Sequence, residues 1–138
     1  MVESGIAVKA FIVKGGKLLV IKRSSEDPYK SGAWDIPGGR LDAGEDPFEG
    51  LKREALEETG LNIEIIMPIA INHFTRDDGQ VITMIISLCK PLSENVALSE
   101  EHVEYRWLEI KEVDSLGAKW LSRVAADLLK YNLDRFIA

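Results

Sequence analysis

Residues Gly39–Leu61 read GRLDAGEDPFEGLKREALEETGL, and the structure this stretch adopts decides the fold of the chain around it. Its second half is a helix with both ends encoded locally. Asp46 stands at a natural N-cap, Pro47 occupies the first helical position, and Glu49 follows at capping-box spacing. Gly60, directly after Thr59, is the residue that a left-handed C-terminal position asks for. The helix so predicted over 47–59 presents Phe48, Leu51 and Ala55, with Leu56 beside them, as an apolar face for a sheet.

The acidic residues of this helix work against its stability. Glu54, Glu57 and Glu58 fall at i, i+3 and i+4, so three carboxylates share one face within a turn. Each like-charge pair at these spacings costs about 0.2–0.5 kcal/mol. The cluster also lies at the C-terminal end, where the helix dipole favours cations. Arg53 relieves part of the repulsion but cannot neutralise three carboxylates. A solvated acidic face is the plain explanation of such a cluster, and a cation site is the other. A locally inconsistent pattern that persists weighs toward function. Hard divalent cations such as Mg²⁺ take oxygen ligands, keep several waters, and bridge carboxylates to phosphates.

Working outward, the flanking segments are mostly β. Ile6 to Val13 and Lys17 to Lys22 are rich in β-formers and enclose Lys14-Gly15-Gly16, which reads as a hairpin. Ser24 to Trp34, SSEDPYKSGAW, is a turn-rich loop. Leu61 to Phe74 is β-branched with a bend expected at Pro68, and the turn Asp77-Asp78-Gly79-Gln80 follows. Beyond it Ile82, Met84, Ile86 and Leu88 alternate with Thr83, Ser87 and Cys89 at strand period. Tyr105 to Ile110 is a further short strand, and Ala118 to Leu129 a second helix with Leu121, Val124, Ala125 and Leu128 at helical spacing. Strands outnumber helices, which predicts a mixed sheet with helices packed on its faces.

Composition narrows the function classes. The 138 residues, 46% of them hydrophobic, suit one domain with a real core, taken here as 1–138. A single cysteine, Cys89, excludes an intrachain disulfide framework and a Cys-rich zinc site. No charge-free stretch approaches the roughly 18 residues needed to cross a bilayer. The opening MVESGIAVKAF has no basic segment ahead of an apolar run, so a cytoplasmic location is expected. The net charge of −6 argues against bulk electrostatic capture of nucleic acid. It also means that phosphate chemistry in this protein would need bound cations.

Taken whole, Gly39, five residues, Glu45, seven residues and then Arg53-Glu54-Ala55-Leu56-Glu57-Glu58-Thr59-Gly60-Leu61 resembles the signature box of the Nudix hydrolases. All its charged and glycine positions are matched; Ala55 stands where the family takes an aliphatic and often larger residue. Seven strict matches arise by chance at on the order of one in 10⁸ starting points, so the resemblance is specific. Trp34-Asp35-Ile36-Pro37-Gly38 looks like the family's approach to the box, and the compact length resembles its mutator-protection members.

The resemblance implies an α+β fold, an α/β/α sandwich with a mixed β-sheet, in which the box forms loop, helix and loop. It implies metal-dependent hydrolysis of a diphosphate linkage in a nucleoside diphosphate joined to a moiety X, with Mg²⁺ as cofactor and Mn²⁺ as a substitute. By position, Glu57 and Glu58 match the principal metal ligands, Glu54 a ligand or base or both, and the carbonyl of Gly38 a backbone ligand. Arg53 matches the arginine that orients the glutamates and Glu45 a supporting acid. Family members often carry a further acid in a later loop. Glu101 and Glu104 are both candidates here, Glu101 being favoured because it lies in the loop proper.

Independent chemistry agrees, since water attack on a polyphosphate needs charge neutralisation, a positioned nucleophile and a proton acceptor. Gly38 and Gly39 permit close backbone approach to metal and phosphate, though a plain turn after Pro37 explains them as well. Lys22 and Arg23 end a strand where a cation could meet the outer phosphates; a solvated strand end is the other reading. Trp34, Phe74 and Trp120 are candidates to stack on a base, against the commoner role of aromatic residues in a core. His102 is a candidate proton carrier or ligand, against the commoner incidental role of a loop histidine, and His73 reads as a pairing or surface residue.

A nucleoside triphosphate, including an oxidised one, is the substrate expected first. The proline and tyrosine positions linked to ADP-ribose and dinucleoside polyphosphate hydrolases find no match. The alternatives are a non-catalytic nucleotide sensor, or action on ADP-ribose, nucleotide sugars or capped RNA. A homodimer is left open.

Overall fold

β1 (Ser4–Lys14) and β2 (Lys17–Arg23) form the expected hairpin, closed by Gly15-Gly16 at φ 58° and 77°, the left-handed geometry of a two-residue turn. The computed structural model describes residues 4–28 and 30–137, so Met1–Glu3 of the expected leaderless start and Tyr29 of the expected loop lie outside the described residues. The remaining elements are β3 (Trp34–Asp35), β4 (Gly38–Arg40), α1 (Pro47–Thr59), β5 (Ile63–Thr75), β6 (Val81–Pro91), β7 (His102–Glu109) and α2 (Lys119–Lys130). Two short 3-10 helices, Ile110–Leu116 and Leu133–Phe136, flank α2.

β1 is the organising strand. It runs parallel to β6 from Ser4↔Val81 to Ile12↔Cys89 and antiparallel to β4 at Ala7↔Arg40, Val8↔Gly39 and Lys9↔Gly38. β5 continues the sheet antiparallel to β6, and β2 carries β3 and β7, both antiparallel. The sheet is therefore mixed. Pro68, which has no N–H for the ladder, lies at a register shift in β5, so the expected bend is absorbed as an irregularity within one strand.

Side-chain alternation along the strands builds one core on each face. Ala7, Phe11 and Val13 of β1 join Ile82, Met84, Ile86 and Leu88 of β6 under Leu121, Val124, Ala125 and Leu128 of α2. Val8, Ala10 and Ile12 join Leu19 and Ile21 under Leu51 and Ala55 of α1. Helices on opposite faces of one mixed sheet make the α/β/α sandwich, an α+β fold.

Several details differ from expectation. The apolar face of α1 is narrower than its pattern, because Phe48 and Leu56 are 45% and 49% exposed while Leu51 and Ala55 alone meet the sheet. Beyond Ala55 the same inward stripe carries Glu58, which is buried. Glu49 pairs with Lys52 at 3.6 Å, and the N-cap is made by Asp46 accepting from the Phe48 and Glu49 amides. β7 starts at His102 rather than Tyr105, because its ladder with β2 extends to Arg23. No described helix is long and apolar enough to cross a membrane.

Candidate active site

The C-terminal half of α1 points its acids at the β4 backbone. The Gly38 amide donates to Glu58 Oε2 at 3.0 Å, so the residue expected to offer its carbonyl to a metal also fixes the buried carboxylate through its N–H. Gly38 has φ +152°, and a Cβ there would stand 2.0 Å from the Val8 carbonyl oxygen; no other residue fits where β4 meets β1. At Gly39 a Cβ would come within 2.8 Å of Glu54 Oε2. The two glycines thus bring the backbone directly against two carboxylates of the box.

Arg53 ties the box loop to the helix. Its Nε donates to Glu45 Oε2 at 2.7 Å and its Nη2 to Glu45 Oε1 at 2.9 Å, a bidentate pair. Nη1 reaches Glu57 Oε2 and Glu54 Oε1, each at 3.2 Å. The guanidinium hydrogen bonds hold the Glu45 carboxyl down to about 2. Burial raises Glu54 above the usual range, aided by the charge of Glu57 and opposed by Arg53. Burial also pushes Glu58 up to about 7, against the pull of Lys9 and the Gly38 amide.

A loop from another part of the chain completes the cleft. The last carbonyls of α1, at Glu58 and Thr59, accept from the amides of Ser99 at 3.1 Å and Ala97 at 2.8 Å. These bonds satisfy helix-end acceptors and dock the loop against the acidic turn. Ser24 N donates to the Glu101 carbonyl at 2.9 Å, holding the loop from the β2 side. Arg23, Gly38, Gly39, Glu54, Glu57, Glu58, Ser99 and Glu101 together line a cleft of about 330 Å³. Glu104 lies instead within β7, opposite Lys22, and accepts from Arg106 Nε at 2.9 Å. Of the two acids weighed for the later loop, Glu101 is the one in the cleft.

Sequence reading passed over Lys9 and the Asp35 carboxylate that ties it to Arg23. Lys9, 5% exposed, donates to Asp35 Oδ2 at 3.1 Å and to the Ile36 carbonyl at 3.2 Å. Arg23 Nη2 reaches the same Asp35 oxygen at 3.1 Å and Nη1 reaches Asp27 Oδ2 at 3.1 Å. Burial alone would raise the Asp35 carboxyl, but Lys9 and Arg23 outweigh it and hold it low. The signal was a lone lysine inside the apolar run IAVKAFIV.

His102, a candidate carrier or ligand, is 5% exposed beside the cleft, and burial together with the nearby Arg23 lowers it to about 4. His73 lies exposed on β5 with Nδ1 2.9 Å from Thr83 Oγ1. Phe74 is not among the cleft residues; it packs against the core beneath α2. Lys22 also points elsewhere, its Nζ 6.0 Å from the Trp34 ring centroid. Trp34 and Trp120 instead share a second cavity of about 330 Å³ with Lys30, Asp35 and the 116–118 turn.

The donor set suits a hard divalent cation. Glu54, Glu57, Glu58 and Glu101 offer oxygens to one cleft, which a repelling cluster tolerates best with a cation between its members. At Gly39 the cleft also lacks a side chain, where a Cβ would press on the Glu54 carboxylate.

Comparison with known proteins agrees with the geometry. The NUDIX domain family matches residues 3–128, and the chain belongs to that family of hydrolases. It is 30% identical over 115 residues to a MutT-like protein of Streptomyces ambofaciens, covering 83% of this chain and 70% of that one. It is 31% identical over 89 residues to the asymmetrical bis(5'-nucleosyl)-tetraphosphatase of Mus musculus, 61% of this chain and 60% of the relative. Among solved structures, the MutT protein of Methanosarcina mazei superposes with a TM-score of 0.80 at 26% identity, covering 91% of this chain and 96% of that chain.

Proposed function

We propose that the protein is a metal-dependent pyrophosphohydrolase that cleaves a diphosphate linkage in a nucleoside diphosphate derivative, a nucleoside triphosphate or its oxidised form first among them. The observation that carries this reading is the convergence of Glu54, Glu57, Glu58 and Glu101 with Gly38, Gly39 and Arg23 on one cleft. Bound Mg²⁺, with Mn²⁺ as a substitute, would neutralise the phosphoryl oxygens and make water at the site more acidic.

The chain's own groups do the rest. Arg53, pinned by Glu45, sets Glu54 and Glu57 in register. The Gly38 amide orients Glu58. Hydrolysis forms one P–O bond from water and breaks the bridging P–O bond, the leaving phosphate taking the bond's electron pair. The water proton passes to a cleft carboxylate, for which Glu54 and Glu101 are the candidates. Arg23, its charge held by Asp27 and Asp35, faces the outer phosphates. The second cavity supports a base site, with Trp34 and Trp120 as stacking surfaces. Asp35 borders that cavity and bonds Arg23, so base and phosphate ends share one hinge of side chains.

This reading takes 1–138 as one domain acting in the cytoplasm on a small nucleotide rather than on nucleic acid, and leaves a homodimer to measurement. The test is release of phosphate or pyrophosphate, with and without Mg²⁺, from triphosphates, an oxidised purine triphosphate, a dinucleoside polyphosphate, ADP-ribose, nucleotide sugars and capped RNA. Glu57→Gln is expected to lower turnover by several orders of magnitude while the fold is kept. Near-normal Mg²⁺-dependent turnover in that variant overturns the site assignment. No turnover on any substrate leaves a nucleotide-binding sensor.

A further inference from the structure

We propose that His102 is a nitrogen ligand of the metal centre, so that Glu58, Glu101 and His102 form a mixed imidazole–carboxylate subsite for a first-row transition cation beside the all-oxygen set of α1. The proposal rests on the reading of the α1 glutamates as metal ligands and extends it to β7.

Placement comes first. His102 opens β7 and pairs with Arg23 across a register shift between Lys22 and Arg23. Such a bulge re-aims side chains at the end of a ladder. A ring nitrogen of His102 and one carboxylate oxygen each of Glu58 and Glu101 all lie within 4.8 Å of one another. Ligands bound at about 2.1 Å around one ion stand about 3 Å apart when adjacent and about 4 Å apart when opposite. Rotamer changes of an ångström or less would close the three groups on a cation.

The second observation is an unmet polar atom. His102 is 5% exposed, and its Nδ1 is buried with no hydrogen-bond partner. A buried polar atom without a partner is costly, so native structures rarely keep one unless a ligand or an ordered water meets it. The other buried side-chain atoms without partners among the described residues are Arg23 Nε and Ser99 Oγ. Both of those residues line the same cleft. The unmet atoms of Arg23 and Ser99 thus lie at the cleft, and that of His102 lies beside it, next to Glu58 and Glu101.

Ligand chemistry then sets the class of ion. Carboxylates alone suit Mg²⁺ and Mn²⁺, whereas imidazole favours the later first-row ions, whose affinity for such sites rises along the series from Mn²⁺. One imidazole with two carboxylates shifts preference away from Mg²⁺ at this subsite while leaving the Glu54 and Glu57 oxygens of α1 free to hold it.

The probes are Co²⁺ and Mg²⁺, titrated calorimetrically into the full chain as wild type, His102→Gln, His73→Gln and Glu57→Gln, with the visible Co²⁺ spectrum recorded. The chain holds two histidines, so His73 is the internal control. Expected is a loss of at least about tenfold in Co²⁺ affinity in His102→Gln, with a shifted Co²⁺ band and Mg²⁺ affinity held within about threefold. His73→Gln should match wild type. Should His102→Gln misfold, the ¹⁵N imidazole spectrum of wild type with Zn²⁺ decides: the His102 ring shifts and the His73 ring does not. An unchanged Co²⁺-to-Mg²⁺ affinity ratio in folded His102→Gln, or an unmoved His102 resonance, overturns the proposal and leaves water as the partner of Nδ1. If neither ion binds wild type, or Glu57→Gln leaves both affinities unchanged, the reading of the α1 glutamates fails as well.

Discussion

At the scale of single residues, Glu58 joins the proposed metal site to stability. Its carboxyl is 7% exposed and raised from an ordinary 4.5 to about 7 by burial, although the Gly38 amide and Lys9 favour its charged form. In the metal-free protein the folded state therefore holds a proton between pH 4.5 and 7 that the unfolded chain has released. Folding stability contributed by this group is full below pH 4.5 and is lost as pH rises through 7. The loss amounts to about 3 kcal/mol at most. Urea midpoints of the EDTA-treated protein should thus fall from pH 5 to pH 8, and Glu58→Gln should flatten that slope while removing turnover. A wild-type midpoint that rises over this range would contradict the burial argument.

At the scale of elements, α1 is a stable helix bent to a costly purpose by what surrounds it. Its bounds were legible in sequence because caps are local chemistry: Asp46 accepts from two amides of the first turn, and Gly60 takes φ 71° after Thr59. The box acids were legible for the same reason, since i, i+3, i+4 spacing fixes their shared face. The Ser99 and Ala97 amides that dock the later loop on the helix end were not, because they join residues some 40 positions apart through backbone atoms that carry no side-chain signal. The place of His102 was hidden for a related reason: only the β2–β7 register brings it beside the acids. Lys9 was visible as a charge in an apolar strand, but its partner Asp35 is named only by the fold. Within this element Arg53 sets the geometry. Lysine keeps the charge but loses the fork that grips Glu45 at 2.7 and 2.9 Å. Arg53→Lys should lower turnover at least about tenfold with a stability change of about 1 kcal/mol or less, read from steady-state kinetics beside thermal melts. Full activity in that variant would make Arg53 a surface charge and nothing more.

At the scale of the molecule, the net charge of −6 takes on a definite origin. Four of the acidic groups face one cleft, and their mutual repulsion is built into the fold rather than spread over the surface. Two cationic side chains, Lys9 and Arg23, stand behind them, but both are already engaged by Asp35. Arg53 relieves part of the repulsion at Glu54 and Glu57, and a divalent cation that binds only the folded state would stabilise it further by mass action. At a hundred times its dissociation constant the gain is about 2.7 kcal/mol, which for a chain of this size raises the melting temperature by roughly 8–12 °C. The gain should be larger at pH 8 than at pH 5.5, because at the lower pH a proton on Glu58 competes with the ion. Sodium chloride at matched ionic strength separates the two accounts of the effect. It screens the repulsion of exposed acids over a Debye length but cannot enter the cleft as a ligand. Melts with Mg²⁺, with Mn²⁺ and with matched sodium chloride should show the large, pH-dependent shift for the divalent ions alone. If sodium chloride reproduces it, the acidic cleft is a solvated surface and the metal-dependent mechanism loses its support.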